Sequence, residues 1–160
     1  MTLFGDQRAT ELDRAVSLVE QTIVALGVDP ERSRASDESG VHRFSLRRGS
    51  AALLVAIHPP AEGAESGTIR VVAPVVRMPP DGPTPELLMR LLRANAEELV
   101  GGAFGVRDGE VVLLAERSVR DLDASEVDAM IRTVGRDADR YDDALAAEFE
   151  LTRASDPEPA

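Results

Sequence analysis

Residues 101–118, Gly-Gly-Ala-Phe-Gly-Val-Arg-Asp-Gly-Glu-Val-Val-Leu-Leu-Ala-Glu-Arg-Ser, constrain the fold more than any other stretch of the chain. Asp108-Gly109 separates two runs rich in strand-forming residues and supplies the positive φ angles of a two-residue type I′ turn. Pairing outward from that turn sets Arg107 against Glu110, Val106 against Val111 and Phe104 against Leu113. One face of the hairpin is then apolar, and the opposite-charge pair lies on the other.

The preceding segments follow the same logic. From Thr10, read as an N-cap, Leu12, Val16, Val19, Ile23 and Leu26 recur at helical spacing until Gly27 ends the run. Asp29-Pro30 reinforces the stop, and the polar stretch through Gly40 reads as a loop. Residues 41–57 form a second hairpin around Gly49-Ser50, a type II′ pattern that brings Phe44, Leu46, Leu53, Val55 and Ile57 to one face. Residues 69–76 make a third strand, in which Pro74 cannot donate to a ladder and so argues for an edge or a bulge. Thr84 then caps a helix with Pro85 in its first turn, and Leu88, Leu91, Leu92, Asn95 and Leu99 form its expected buried stripe. Asn95 is expected to satisfy free backbone groups near the Gly101-Gly102 corner.

After the 101–118 hairpin, Asp123-Ala-Ser-Glu126 is a capping box. It opens a long helix to about Glu148, with Val127, Ile131, Val134, Ala138, Tyr141 and Leu145 along one face. The expected fold is α+β, with the order α-β-β-β-α-β-β-α and an antiparallel five-stranded sheet. Residues 1–9 are expected to be a flexible lead-in, residues 10–149 a single domain, and residues 150–160 an acidic disordered tail. The first and last helices should cover one sheet face. Leu54, Val72, Val76, Val112 and Leu114 point to the other, where a solvated antiparallel sheet would carry polar residues. These five are therefore the expected partner-binding residues, to be covered by the middle helix, a second copy of the chain or a bound protein segment.

Composition narrows the functional classes. A formal net charge of -11 over 160 residues repels nucleic-acid phosphates and anionic membrane surfaces. No apolar run approaches the roughly 20 residues of a membrane span, so no membrane insertion is expected. The absence of cysteine removes disulfides and thiolate chemistry and agrees with a cytoplasmic location. The histidines, His42 and His58, fall on opposite faces of the second hairpin and suggest no metal site. Asp121, Asp123, Glu126 and Asp128 lack the interleaved glycine of a calcium loop and are explained by helix capping. The glycines at 101–105 precede a strand, whereas a phosphate loop feeds a helix. The serines lack a partnering base at any motif spacing. No catalytic residue, metal or cofactor is assigned, and an enzyme is not expected.

Several segments, taken in order, resemble a known family. They are Arg70-Val-Val-Ala-Pro-Val-Val76, then Leu91-Leu-Arg-Ala-Asn95, then Gly102-Ala-Phe-Gly-Val106 with its hairpin, and last Ala138-Asp-Arg-Tyr141 on the long helix. Together they make the chain similar to the YbjN-like branch of the type III secretion chaperone-like superfamily. The resemblance implies a small, acidic, often dimeric protein that binds other polypeptides and has no enzymatic residues to carry over. The resulting expectation is a non-enzymatic, chaperone-like or regulatory module that holds a partner protein or peptide segment as a homodimer. A structural subunit of a larger assembly is the alternative, and a small-ligand or metal-binding protein a further one.

Overall fold

The computed structural model describes residues 3–35 and 40–157. In chain order the elements are α1 (Leu3–Ala25), α2 (Pro30–Ser33), β1 (Arg34–Ala35), β2 (His42–Arg48), β3 (Ala51–His58), β4 (Thr68–Arg77), α3 (Pro85–Glu97), β5 (Ala103–Arg107), β6 (Glu110–Ser118) and α4 (Ala124–Phe149). The strands form one sheet in the order β1-β2-β3-β4-β6-β5. The fold is α+β, as the pattern of hairpins and amphipathic helices requires.

The organising hairpin has the expected register. Arg107 pairs with Glu110, Val106 with Val111 and Phe104 with Leu113. Asp108 and Gly109 both adopt positive φ, 52° and 81°, as a type I′ turn demands. At the other hairpin Gly49 alone takes the positive φ, 59°, which suits a type II′ turn. Phe44, Leu46, Leu53, Val55 and Ile57 are all buried, the outcome expected if they share one face.

Among the described residues the sheet has six strands in place of the expected five. The additional one, β1, is two residues long and pairs antiparallel with β2 through Arg34↔Phe44 and Ala35↔Arg43. A pair of residues carries no alternation to read, and the segment was expected to be loop. It follows α2, a single helical turn capped by Asp29 and opened by Pro30. Arg34 is then fixed from two sides, by an ion pair with Glu20 and by its guanidinium 5.5 Å over the Phe44 ring.

Both expected termini need correction. Helix α1 begins at Leu3 rather than after an N-cap at Thr10, so residues 3–9 are helical and not a flexible lead-in. The run Asp-Gln-Arg-Ala before Thr10 has adequate helix propensity to continue it, with Gly5 the one weak helix former. At the other end, Thr152 and Ala154 are tied to β4 by backbone hydrogen bonds on either side of an Arg153–Val76 bridge, instead of lying in a disordered tail. That pairing is non-local, so local composition gave no sign of it.

Contacts group the chain into two compact units. The first comprises Met1–Leu46, Leu54–Val71 and Glu116–Ile131, and the second comprises Arg47–Leu53, Val72–Ala115 and Arg132–Ala160. In the first unit Val16, Val19 and Ile23 of α1 are buried, as are Phe44, Ile57, Ile69, Val127 and Ile131. In the second, Leu87, Leu91, Phe104, Leu113, Val134, Ala138, Tyr141 and Leu145 are buried. Each of the Val, Leu, Ile and Phe side chains among them contributes about 1.5–3 kcal/mol when fully removed from water. The capping box closes reciprocally: Glu126 N–H donates to Asp123 Oδ1 at 2.9 Å and Asp123 N–H to Glu126 Oε2 at 3.0 Å.

Candidate partner-binding surface

The five residues expected to face a partner do not form an open patch. Val72, Val76 and Val112 are 5, 0 and 3% exposed, and Leu54 and Leu114 are half-buried. The apolar surplus in the strands is thus largely covered within the chain itself. Nor is β4 an edge strand, since it has β3 and β6 as neighbours; β1 and β5 are the edges. Pro74 is accommodated in this interior strand with one ladder donor missing.

The end of β4 is finished by the C-terminal tail. Val76 pairs with Arg153 in an antiparallel bridge. Arg77 N–H donates to Thr152 O at 2.8 Å and Ala154 N–H donates to Val75 O at 3.0 Å. Backbone groups alternate in direction along a strand. Val75 and Arg77 therefore face the tail, while Met78 N–H donates the other way, to Gly109 O at 2.8 Å. Arg77 Nη2 also donates to Ala154 O at 3.3 Å and Asp156 O at 2.6 Å. Arg153 bridges Asp143 of α4 at 2.9 Å and Asp156 at 2.8 Å. Both contacts raise the Arg153 pKa, the hydrogen bond to Asp156 first, and that same bond lowers the pKa of Asp156. A cavity of about 70 Å³ lies beside this junction, walled by Ser50, Pro74, Val75, Ala138, Asp142 and Ala154 among others.

The surface that sequence reading missed is the outer side of α3. Thr84 Oγ1 accepts from Leu87 N–H at 3.2 Å and Pro85 opens the helix, as expected. The buried row, however, is Leu87, Leu91 and Ala94, while Leu88, Met89 and Leu92 are 38, 49 and 60% exposed. Residues 87/91 and 88/92 are leucine pairs of identical spacing, so periodicity alone does not choose between them. Val100 and Val106, in the same unit, are exposed as well. Asn95 does what its position suggested. Its Oδ1 accepts from Phe104 N–H at 2.6 Å and its Nδ2 donates to Phe104 O at 3.2 Å, which locks α3 to β5.

Beneath that helix lies a polar cluster around a buried ring. Tyr141 donates its hydroxyl to Glu98 Oε2 at 2.6 Å, and Arg90 Nη1 donates to Glu98 Oε1 at 2.7 Å. The Tyr141 ring meets Phe104 edge-on at 5.0 Å, with the Arg140 guanidinium 5.1 Å from its centroid. Burial, and then the bond to Glu98, raise the Tyr141 pKa. The bonds from Tyr141 and Arg90 lower that of Glu98. Glu98 thus joins Tyr141 of α4 to Arg90 of α3.

Among the described residues no group of three or more His, Cys, Asp or Glu side chains could hold a metal ion. None of their helices is long and apolar enough to cross a membrane. What the molecule presents is covered strands, an exposed apolar helix face and a strand end closed by its own tail.

Comparison with known proteins agrees with this architecture. Residues 15–147 match the YbjN family model, described as "Putative bacterial sensory transduction regulator". The chain belongs to the YbjN family. The sequence matches no curated protein. Among solved structures, a chain of the ExsC–ExsE complex is similar with a TM-score of 0.62 at 18% identity, over 83% of this chain and 94% of that one. A chain of the HopA1–SchA chaperone–effector complex gives a TM-score of 0.56 at 12% identity, over 84% and 97%. The Yersinia pestis type III secretion chaperone SycH, in complex with a stable fragment of YscM2, gives 0.50 at 16%, over 78% and 96%. At these identities the likeness is one of fold: this YbjN protein has a type III secretion chaperone-like fold.

Proposed function

We propose that this YbjN protein is a non-enzymatic binding module that holds a segment of another polypeptide and works as a homodimer. The observation that carries the reading is the exposed apolar face of α3, Leu88, Met89 and Leu92, on a chaperone-like fold. Apolar side chains collected on one helix face are removed from water most simply by a second copy of the same face. The three similar structures are each complexes with a partner protein, which supports partner capture as the role of this fold. Within this reading Val72, Val76 and Val112 support the binding strands from inside, while half-buried Leu114 and the end of β4 make the contact.

The test is light scattering of the purified chain, followed by recovery of the tagged protein from its native cells and mass spectrometry with stoichiometry. A dimeric mass, together with one stoichiometric co-purifying protein that crosslinks to β4 or β6, is the expected result. A monomer that recovers nothing overturns the proposal. Several stoichiometric subunits would replace it with the role of a subunit in a larger assembly.

A further inference from the structure

We propose that the end of β4, Val75–Arg77, is a strand-acceptor site for an extended segment of a partner protein with a basic residue opposite Val76, and that residues 152–154 of the tail occupy it in the free chain as a built-in competitor. The proposal rests on the partner-binding reading above and specifies where, and with what chemistry, a segment is captured.

The acceptor is prepared before any partner arrives. Val75 and Val76 are buried, so their backbone is rigid, and the outward groups of Val75 and Arg77 offer one acceptor and one donor in strand geometry. Those are the two main-chain bonds by which an added antiparallel strand is read. The present occupant is held lightly. Thr152, Ser155 and Pro157 are exposed, and Leu151, Arg153, Ala154 and Asp156 only half-buried. No fully buried apolar side chain anchors the tail, which is held by two backbone bonds to β4, two bonds from Arg77 Nη2 to its carbonyls and partly exposed ion pairs, the last worth about 0–1 kcal/mol each. The acceptor also holds a donor the tail leaves unused: Arg77 Nη1 is buried without a hydrogen-bond partner, although Nη2 already takes two tail carbonyls.

The chemistry of the guest follows from the same contacts. Asp143 on α4 meets Arg153 of the tail, so the residue opposite Val76 should be basic. The residue after it sits against the small cavity, where the tail has Ala154. A net charge of -11 draws a basic residue in at long range. Because the tail is tethered, it competes at an effective concentration on the order of millimolar. A foreign segment must exceed that, or bind a second surface at the same time.

A fluorescent peptide of residues 149–160 is the probe, titrated by anisotropy against the full-length chain and against the full-length double variant Arg153→Glu, Ala154→Pro, whose tail is released. The released variant should bind the peptide at least about tenfold more tightly than the natural chain, which its own tail keeps closed. A peptide with Ala154→Pro should not bind, and one with Arg153→Glu should bind about tenfold more weakly. Equal binding by both proteins, or by neither, overturns the proposal. Amide exchange on the natural chain tests the same point without any variant. Arg77 N–H, bonded to the tail, should exchange at least about tenfold faster than Met78 N–H, bonded to Gly109; equal protection shows a tail that does not open and also overturns it. Failure here, with the dimer and its co-purifying partner intact, removes only the strand site. Peptide binding by a chain that recovers no partner would leave the acceptor standing and remove the broader reading.

Discussion

The Tyr141 hydroxyl donates to Glu98 at 2.6 Å, which links the middle of α4 to the residue just after the end of α3. The ring is buried against Phe104, so its one polar atom needs this partner. Tyr141→Phe keeps the packing and loses the bond, and should destabilise the chain by about 1 kcal/mol. Tyr141→Ala also opens a cavity and should cost about 3–5 kcal/mol. Urea denaturation of the two variants checks both values, and a Tyr141→Phe variant as stable as the natural chain would show the bond to be energetically neutral.

Asn95 makes a two-bond clasp on the backbone of Phe104, in a part-buried setting where water cannot readily replace it. Asn95→Ala leaves both Phe104 groups unpaired, and the loss should be about 1–3 kcal/mol. Hydrogen exchange gives the more specific reading. Protection of the Phe104 amide should fall sharply, while that of Glu126, held by the Asp123 capping box, stays as it was.

The parts of this fold that could be read from sequence are those set by local rules. Asp108-Gly109 dictates its turn through backbone conformation, and with it the whole register from Phe104↔Leu113 outward. The α4 stripe from Val127 to Leu145 is a long, unambiguous period, and all six expected residues are buried. What escaped depends on choices that local pattern leaves open. Leu87/Leu91 and Leu88/Leu92 are equivalent by spacing, and only the tertiary packing selects the first pair for burial. Pro74 argued for an edge or a bulge; the strand is interior, and one missing donor is a small loss beside the burial of Val75 and Val76. The pairing of Arg153 with Val76 spans 77 positions of sequence, and no composition rule anticipates a closing strand within an acidic, proline-containing end. To the expected strand residues the structure adds an exposed apolar face on α3 and a strand end closed by the tail.

His58 predicts a pH dependence. Burial, and then the positive charges of Arg70 and Arg43, lower its pKa below the usual value of about 6.5, against a smaller opposing effect of Glu116. Between that value and the lower folded one, the unfolded chain binds more protons than the folded chain. Stability therefore rises with pH across this window and is lost as pH falls through it. The lowered carboxylates Glu98, Asp123, Asp139 and Asp156 titrate at more acid pH, so the histidine component is separable. His58→Gln should flatten the profile of unfolding free energy near and just below pH 6.5 and leave the acid limb in place. A natural chain with no slope in that window would contradict the assignment.

The outer face of α3 gives the sharpest separation of association from folding. Leu92 is 60% exposed and Met89 49%, whereas their neighbours Leu91 and Ala94 are buried. A charge at Leu92 meets water in the isolated chain and stays within about 0.5 kcal/mol of neutral for folding. In a dimer closed through this face the same charge would lie unpaired against its symmetry mate, at a cost of several kcal/mol. Leu92→Glu should therefore give a folded monomer by light scattering, with an unfolding midpoint at low protein concentration close to that of the natural chain. Leu91→Glu, one residue away, should instead abolish folding. A Leu92→Glu variant that remains dimeric would place the association surface elsewhere, with the exposed β5 residue Val106 the next position to test.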